Sequence, residues 1–362
     1  MKKTLIALAV LATTGTAFAQ STVYLTGLVG AAAQSFDTRV TPAVAPSQYS
    51  LGSPATGGSR QRGIALTDAT IKVGVTEDLG SGLKAAANIQ FDSIGSTSDA
   101  TFGKGLLRRN TSVSLTGGFG QVSFTNSRSG NLLTKGMVAP ANLYNGIYDG
   151  SLVVTRSPVD ALTYGMKFGD FTTSVQYVET DTDGEWNAKI KVGVLNAGYA
   201  KGPIAAGVAV KGYSFRAGQN AALAGLGGIA RKNRLEAFAT YDFGMAKIGV
   251  GYDGKNVGTP DGINPLAGVG VTNAYQRVLT RGTADYVRFN TAHAWSVGVS
   301  APLGPVTIGA NYAKRDIAKL TELVADYALS KRTSLNASLG RQTANVGTDS
   351  GNQYRIGAYH SF

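Results

Sequence analysis

His293 and His360 are the only imidazoles in the chain, and there is no cysteine. Thiolate nucleophiles, disulfide scaffolds and zinc-thiolate sites are therefore excluded. A histidine needs a nucleophile and an orienting partner to catalyse acyl transfer, and no serine motif stands beside either position. Gly249-Val250-Gly251-Tyr252-Asp253-Gly254-Lys255 has the spacing of a phosphate-binding loop. The next residue is Asn256 rather than Ser or Thr, and the stretch alternates like a strand instead of opening a helix. No catalytic, metal or cofactor site is expected.

What remains for chemistry is charge. The sequence carries 34 Lys and Arg against 22 Asp and Glu, a formal +12. The basic residues are scattered, with no helix or aromatic platform to present them to nucleic acid, so no nucleic-acid partner is expected. Met1-Lys2-Lys3, the apolar run Leu5 to Ala12 and Ala17-Phe18-Ala19 read as a secretory signal peptide, residues 1–19, with residues 20–362 as one mature domain. Loss of the two leader lysines lowers the charge to +10. Eight apolar residues cannot cross a bilayer as a helix, which takes about 20.

The elements that must position these charges are strands. Apolar residues alternate with small or polar ones, as in Ile71, Val73 and Val75 against Lys72 and Gly74, or Leu335, Ala337 and Leu339 against Asn336 and Ser338. That is the period of a strand with two unlike faces. Sixteen segments follow, approximately 22–33, 63–77, 82–93, 109–117, 120–127, 160–168, 171–179, 187–200, 203–215, 231–243, 245–254, 288–301, 305–315, 320–329, 333–341 and 353–362. Short turns join them in pairs, and longer Gly-, Ser- and Asn-rich connections separate the pairs.

Ten residues at about 3.3 Å, tilted near 40°, span roughly 25 Å, the apolar height of an outer-membrane barrel. Hydrocarbon tolerates no unpaired strand edge, so such a sheet must close. The reading is an all-β, 16-stranded antiparallel transmembrane barrel. A soluble β-sandwich also alternates, but its inward face would hold large side chains rather than small and polar ones. The last strand would pair with the first, which places Phe362 on the lipid face with Ile356 and Ala358.

Several stretches also resemble a known family. VGVTEDLGSGLKA (73–85), SVSLTGGFG (112–120), Tyr241-Asp242-Phe243-Gly244, DYALSKRTSL (326–335) and His360-Ser361-Phe362 are similar, in order, to segments of the trimeric Gram-negative general porins of the neisserial and β-proteobacterial type. Gly30 and Asn126 stand where that family often carries an acidic and a basic residue. The resemblance implies a homotrimer in the cell outer membrane, embedded in outer-membrane lipid. It implies a third external loop, 128–158, folded into the pore, and a last strand ending in Phe362 that serves as the assembly signal for the barrel-insertion machinery. The implied function is passive diffusion of small hydrophilic solutes and ions.

Alternation assigns Lys72, Lys84, Lys189, Lys191, Arg234, Lys247, Arg288 and Arg355 to the lumen, against Asp92, Glu236, Asp242, Asp253 and Asp326. An excess of cations concentrates small anions, so a modest anion preference is expected. The inward loop offers Asp149 against Arg128, Lys135 and Arg156. With Arg62, Lys72 and Arg108 on the facing wall, Arg128 and Lys135 would form a positive constriction. The competing reading is that the loop charges face water or pair with neighbouring acids. Arg109 falls on the lipid parity, so it sits at the rim or in a bulge. A substrate-specific channel or adhesin-like barrel, with segments 34–62 and 255–286 as recognition loops, is the alternative function.

Overall fold

A computed structural model describes residues 21–39, 59–92, 107–128, 130–140, 158–180, 189–216, 233–254, 293–315, 318–343 and 350–362. The elements are β1 (Ser21–Arg39), β2 (Ser59–Gly80), β3 (Leu83–Asp92), β4 (Leu107–Gly117), β5 (Gly120–Arg128), β6 (Pro158–Phe168), β7 (Phe171–Thr180) and β8 (Lys189–Lys201). They continue as β9 (Ile204–Arg216), β10 (Asn233–Asp242), β11 (Lys247–Asp253), β12 (Ala294–Leu303), β13 (Val306–Arg315), β14 (Ala318–Ala328), β15 (Thr333–Thr343) and β16 (Ser350–Ser361). Each strand pairs antiparallel with its sequence neighbours, and β16 pairs with β1, so the sheet is a closed barrel.

All sixteen expected strands are present. The largest departures are β1 and β2, which continue past the expected ends because they keep pairing with each other as far as Thr38↔Ser59. Large apolar side chains point outward: Leu25, Phe124, Val175, Leu195 and Val250 are all more than half exposed or close to it. Asn88, Asn196, Ser296, Asn311 and Asn336 take the other face. The side-chain alternation follows from the medium on each side, since lipid accepts only apolar groups and a lumen accepts polar ones. Two short turns place glycine ahead of proline, Gly202 (φ 56°) and Gly304 (φ 64°), where the left-handed backbone a tight hairpin needs is open to glycine without strain.

At the seam, Gly27 N–H donates to the Phe362 carbonyl at 2.9 Å and Phe362 N–H donates to the Gly27 carbonyl at 3.1 Å. The Phe362 ring occupies the space a Cβ on Gly27 would need. The terminal aromatic is thus seated on the outer face, in line with exposed Ile356. Gly27→Val is expected to evict the ring at a cost of about 1–3 kcal/mol, read as a lower urea midpoint of the detergent-solubilised barrel. Phe362→Ala in the Gly27→Val background should remove part of that loss.

Candidate functional site

Between β5 and β6 the chain leaves the wall and enters the lumen. Leu132–Gly136 forms a short 3-10 turn that lies against β9, β10, β11 and β12. Asn131 caps it: its Oδ1 accepts from Leu133 N–H at 2.8 Å, the local bond that makes Asn a favoured turn starter. The wall beneath is floored by Gly249, Gly251, Gly298 and Gly309, and a Cβ on any of them would collide with the strap from Leu133 to Ala139. Small residues let two backbones close on each other, and side-chain hydrogen bonds then fix the strap. Ser296 Oγ–H donates to the Leu133 carbonyl at 2.7 Å. Ala139 N–H donates to Asn311 Oδ1 at 3.1 Å, and Asn311 Nδ2 in turn donates to Glu322 at 3.1 Å.

The near end of the strap rests on a buried charge network. Asp253, fully buried, accepts from both Arg234 and Arg315. Glu236 receives Lys211 Nζ at 2.6 Å and lies 3.3 Å from Arg234 Nε. The network reaches the strap three times: Asn131 Nδ2 donates to Asp253 at 3.2 Å, Leu132 N–H to Glu236 at 3.1 Å, and Lys211 Nζ to the Gly130 carbonyl at 3.0 Å. Buried ions are tolerated only when paired and hydrogen-bonded. Among the described residues, three cations meet two anions here.

Leu133 is fully buried, and Leu132 packs on an apolar patch of Val159, Ala161, Val178, Val192, Val194 and Ala209. That patch lies on the lumen face, a reversal of the usual order. It corrects the expectation for Lys191. With Val192 and Val194 turned inward under Leu132, Lys191 shares the outer face with Leu195 and stands 5.7 Å from the Tyr177 ring. The side chain of Lys189 lies outside the described residues. Alternation misplaced Lys191 because inward valines covered by a loop look, in sequence, like lipid-facing ones.

Of the expected constriction residues, Lys135 is exposed on the strap and has no ion-pair partner among the described residues. Lys72 is half-buried on β2, 5.8 Å from the Tyr24 ring centroid. In the ring of sixteen, β2 lies eight places from β10, so Lys72 is on the wall across the lumen from the strap. Arg62 pairs with Ser35, and Arg128 closes β5 opposite Pro158 rather than lying within the loop. Arg108 pairs with Phe91 across a register shift at Gln90/Phe91, the bulge that accommodates Arg109. Asp149, Arg156 and Arg288 lie outside the described residues. Arg234, Glu236, Asp253 and Arg355 are buried on the lumen side as expected. Lys211, Arg315 and Glu322 were not singled out by sequence, although each follows its strand's inward parity, Arg315 with Ala313 and Asn311, and Glu322 with Val324.

Comparison with known proteins agrees with this architecture. The family model described as Gram-negative porin matches residues 4–347. The outer membrane porin protein 32 of Delftia acidovorans is 31% identical over 276 residues, 68% of each chain. Among solved structures, the anion-selective porin from Comamonas acidovorans is 18% identical with a TM-score of 0.59, covering 95% of this chain and 100% of that one. A loop-deletion mutant of OmpT, an outer membrane protein of Vibrio cholerae, is 15% identical with a TM-score of 0.59, covering 94% and 99%. The closed sixteen-stranded barrel, its strap-narrowed lumen and the match over nearly the whole sequence make this chain a member of the Gram-negative porin family, a channel protein of the bacterial outer membrane.

Proposed function

We infer that this porin passes small hydrophilic solutes by diffusion with a modest preference for anions. The observation that carries the reading is Lys135, exposed on the strap and without an ion-pair partner among the described residues. Lys72, across the lumen, completes a positive constriction. A narrow aqueous path with fixed charge of one sign enriches the opposite small ion, and salt screens the effect. The similar structure from Comamonas acidovorans, an anion-selective porin, supports the same direction.

The functional unit is a homotrimer, residues 1–19 are a leader removed on export, and Phe362 belongs to the signal read during barrel insertion. The family match supports the first, the charged start, apolar run and Ala17-Phe18-Ala19 of the leader support the second, and the resemblance of the last strand supports the third.

Reversal potentials across a planar bilayer in a potassium chloride gradient test the preference. An anion-favouring potential is expected, and a cation-favouring one would overturn it. Lys135→Glu should lower the anion-to-cation permeability ratio by a factor of roughly 2–5, the size of a charge reversal a few ångströms from a hydrated ion. The change should shrink as salt is raised from 0.1 M to about 1 M.

A further inference from the structure

The structure assigns a binding site for a phosphorylated lipid of the outer leaflet to the outer face of β13, β14 and β15. It rests on three cations and a groove that no part of the pore uses. Lys314 and Lys319 stand directly opposite each other in the β13–β14 ladder. Lys319 pairs in turn with Thr343, two residues beyond Arg341 on β15, which places Arg341 diagonal to Lys319. All three share the outer-face parity of Ile308, Leu323 and Leu339, and none has an ion-pair partner among the described residues.

Like charges directly opposite in a ladder repel. The arrangement costs free energy unless an anion sits between them, and Lys and Arg together are the usual cradle of a phosphate. Height along the strand says where that anion comes from. Two residues below Lys314 on the same face lies Tyr312, packed at a tilt against Trp295 with ring centroids 5.2 Å apart. Aromatic pairs of this kind mark the level of the lipid headgroups. Trp295 is itself opposite Lys314 in the β12–β13 ladder, so the cations stand at the level of the girdle, at phosphate height rather than in open water.

Beneath them the barrel surface is hollowed. Ala310, Ala325 and Ala337 form the floor of an apolar groove of about 690 Å³, walled by Leu323, Leu339 and Ile356. Leu339 is directly one outward position below Arg341. A cationic mouth over an apolar trough, both on the lipid side, fits one occupant: a glycolipid whose headgroup bears phosphate monoesters and whose acyl chain lies along the trough. A doubly charged monoester suits three cations better than a singly charged diester does.

The test is lipid binding by native mass spectrometry on the full barrel in detergent. The probes are a bisphosphorylated acyl-disaccharide lipid, its enzymatically dephosphorylated form, and phosphatidylglycerol. The wild type should hold the bisphosphorylated lipid at least tenfold tighter than the dephosphorylated one, with phosphatidylglycerol between. A cation near an anionic headgroup is worth about a factor of five, so K314Q/K319Q/R341Q should weaken binding on the order of 100-fold. Lys331→Gln, an exposed lysine at the opposite rim, should leave it unchanged. Should the triple variant fold poorly, Lys319→Gln alone should still lose about fivefold. Single-channel conductance should be the same in every variant, which separates this site from the pore. Equal binding of the dephosphorylated lipid, or a triple variant that binds like wild type, overturns the assignment. So does a variant that changes only protomer association, which would mean that a second copy covers this face.

Discussion

Replacing Asp253 with alanine is expected to cost about 3–5 kcal/mol and to loosen the strap that narrows the pore. Asp253 is fully buried and neutralises Arg234 and Arg315, themselves 7% and 2% exposed. Removing one partner from such a group leaves uncompensated charge in a poorly solvated place, and it is this residual charge, not the lost contact, that sets the magnitude. Glu236 offsets only part of the excess, because it already holds Lys211. The same substitution deletes the acceptor for Asn131 Nδ2. Barrel closure does not run through Asp253, so the loss should appear in two places. The urea midpoint should fall, and single-channel records should show larger, noisier conductance as the strap departs from the wall. Asp253→Asn should be milder, because the amide keeps an acceptor for one arginine. An Asp253→Ala porin with wild-type midpoint and quiet wild-type conductance would show that the network does not anchor the strap.

Filling the glycine floor should act in the opposite direction. Gly298→Val puts carbon where the strap backbone already lies: a Cβ there would stand 2.8 Å from the Gly136 carbonyl oxygen and 2.7 Å from Asn311 Oδ1, and closer still to Val138 N. Backbone atoms cannot turn aside as a flexible side chain can. Overpacking of this kind costs about 1–3 kcal/mol, and here the cheapest relief is to push the strap toward the pore axis. Conductance should fall with its noise little changed, because the Asp253 and Glu236 anchors are untouched. Gly298→Ala should give a smaller drop in the same direction. If Gly298→Val instead raised conductance, the strap would be shown to leave the wall altogether rather than shift.

The wall was legible in the sequence because both of its solvents impose the same two-residue period. Leu335, Ala337 and Leu339 must meet lipid while Asn336 and Ser338 must not, and no long-range knowledge is needed to see it. Even the doubtful Arg109 announced its bulge by breaking that period. The strap was legible only through resemblance to a family, since a loop has no period. Its consequences for the wall stayed hidden. Val192 and Val194 look lipid-facing until Leu132 covers them from within, and Lys191 was misplaced for that reason. The anchor was half visible: Arg234, Glu236 and Asp253 follow inward parity. Nothing local could say that they hold Asn131 and Leu132, which lie about a hundred residues earlier in the chain.

The pairing of β1 with β16 also governs how the molecule can come into being. One edge of the first strand waits for the last: Gly27 stands opposite Ile71 on β2, but its backbone N–H and C=O bond to Phe362. A product that lacks β16 has two raw edges. Such a chain must travel to its membrane unfolded, and its final closure sits at the slow extreme of non-local pairing.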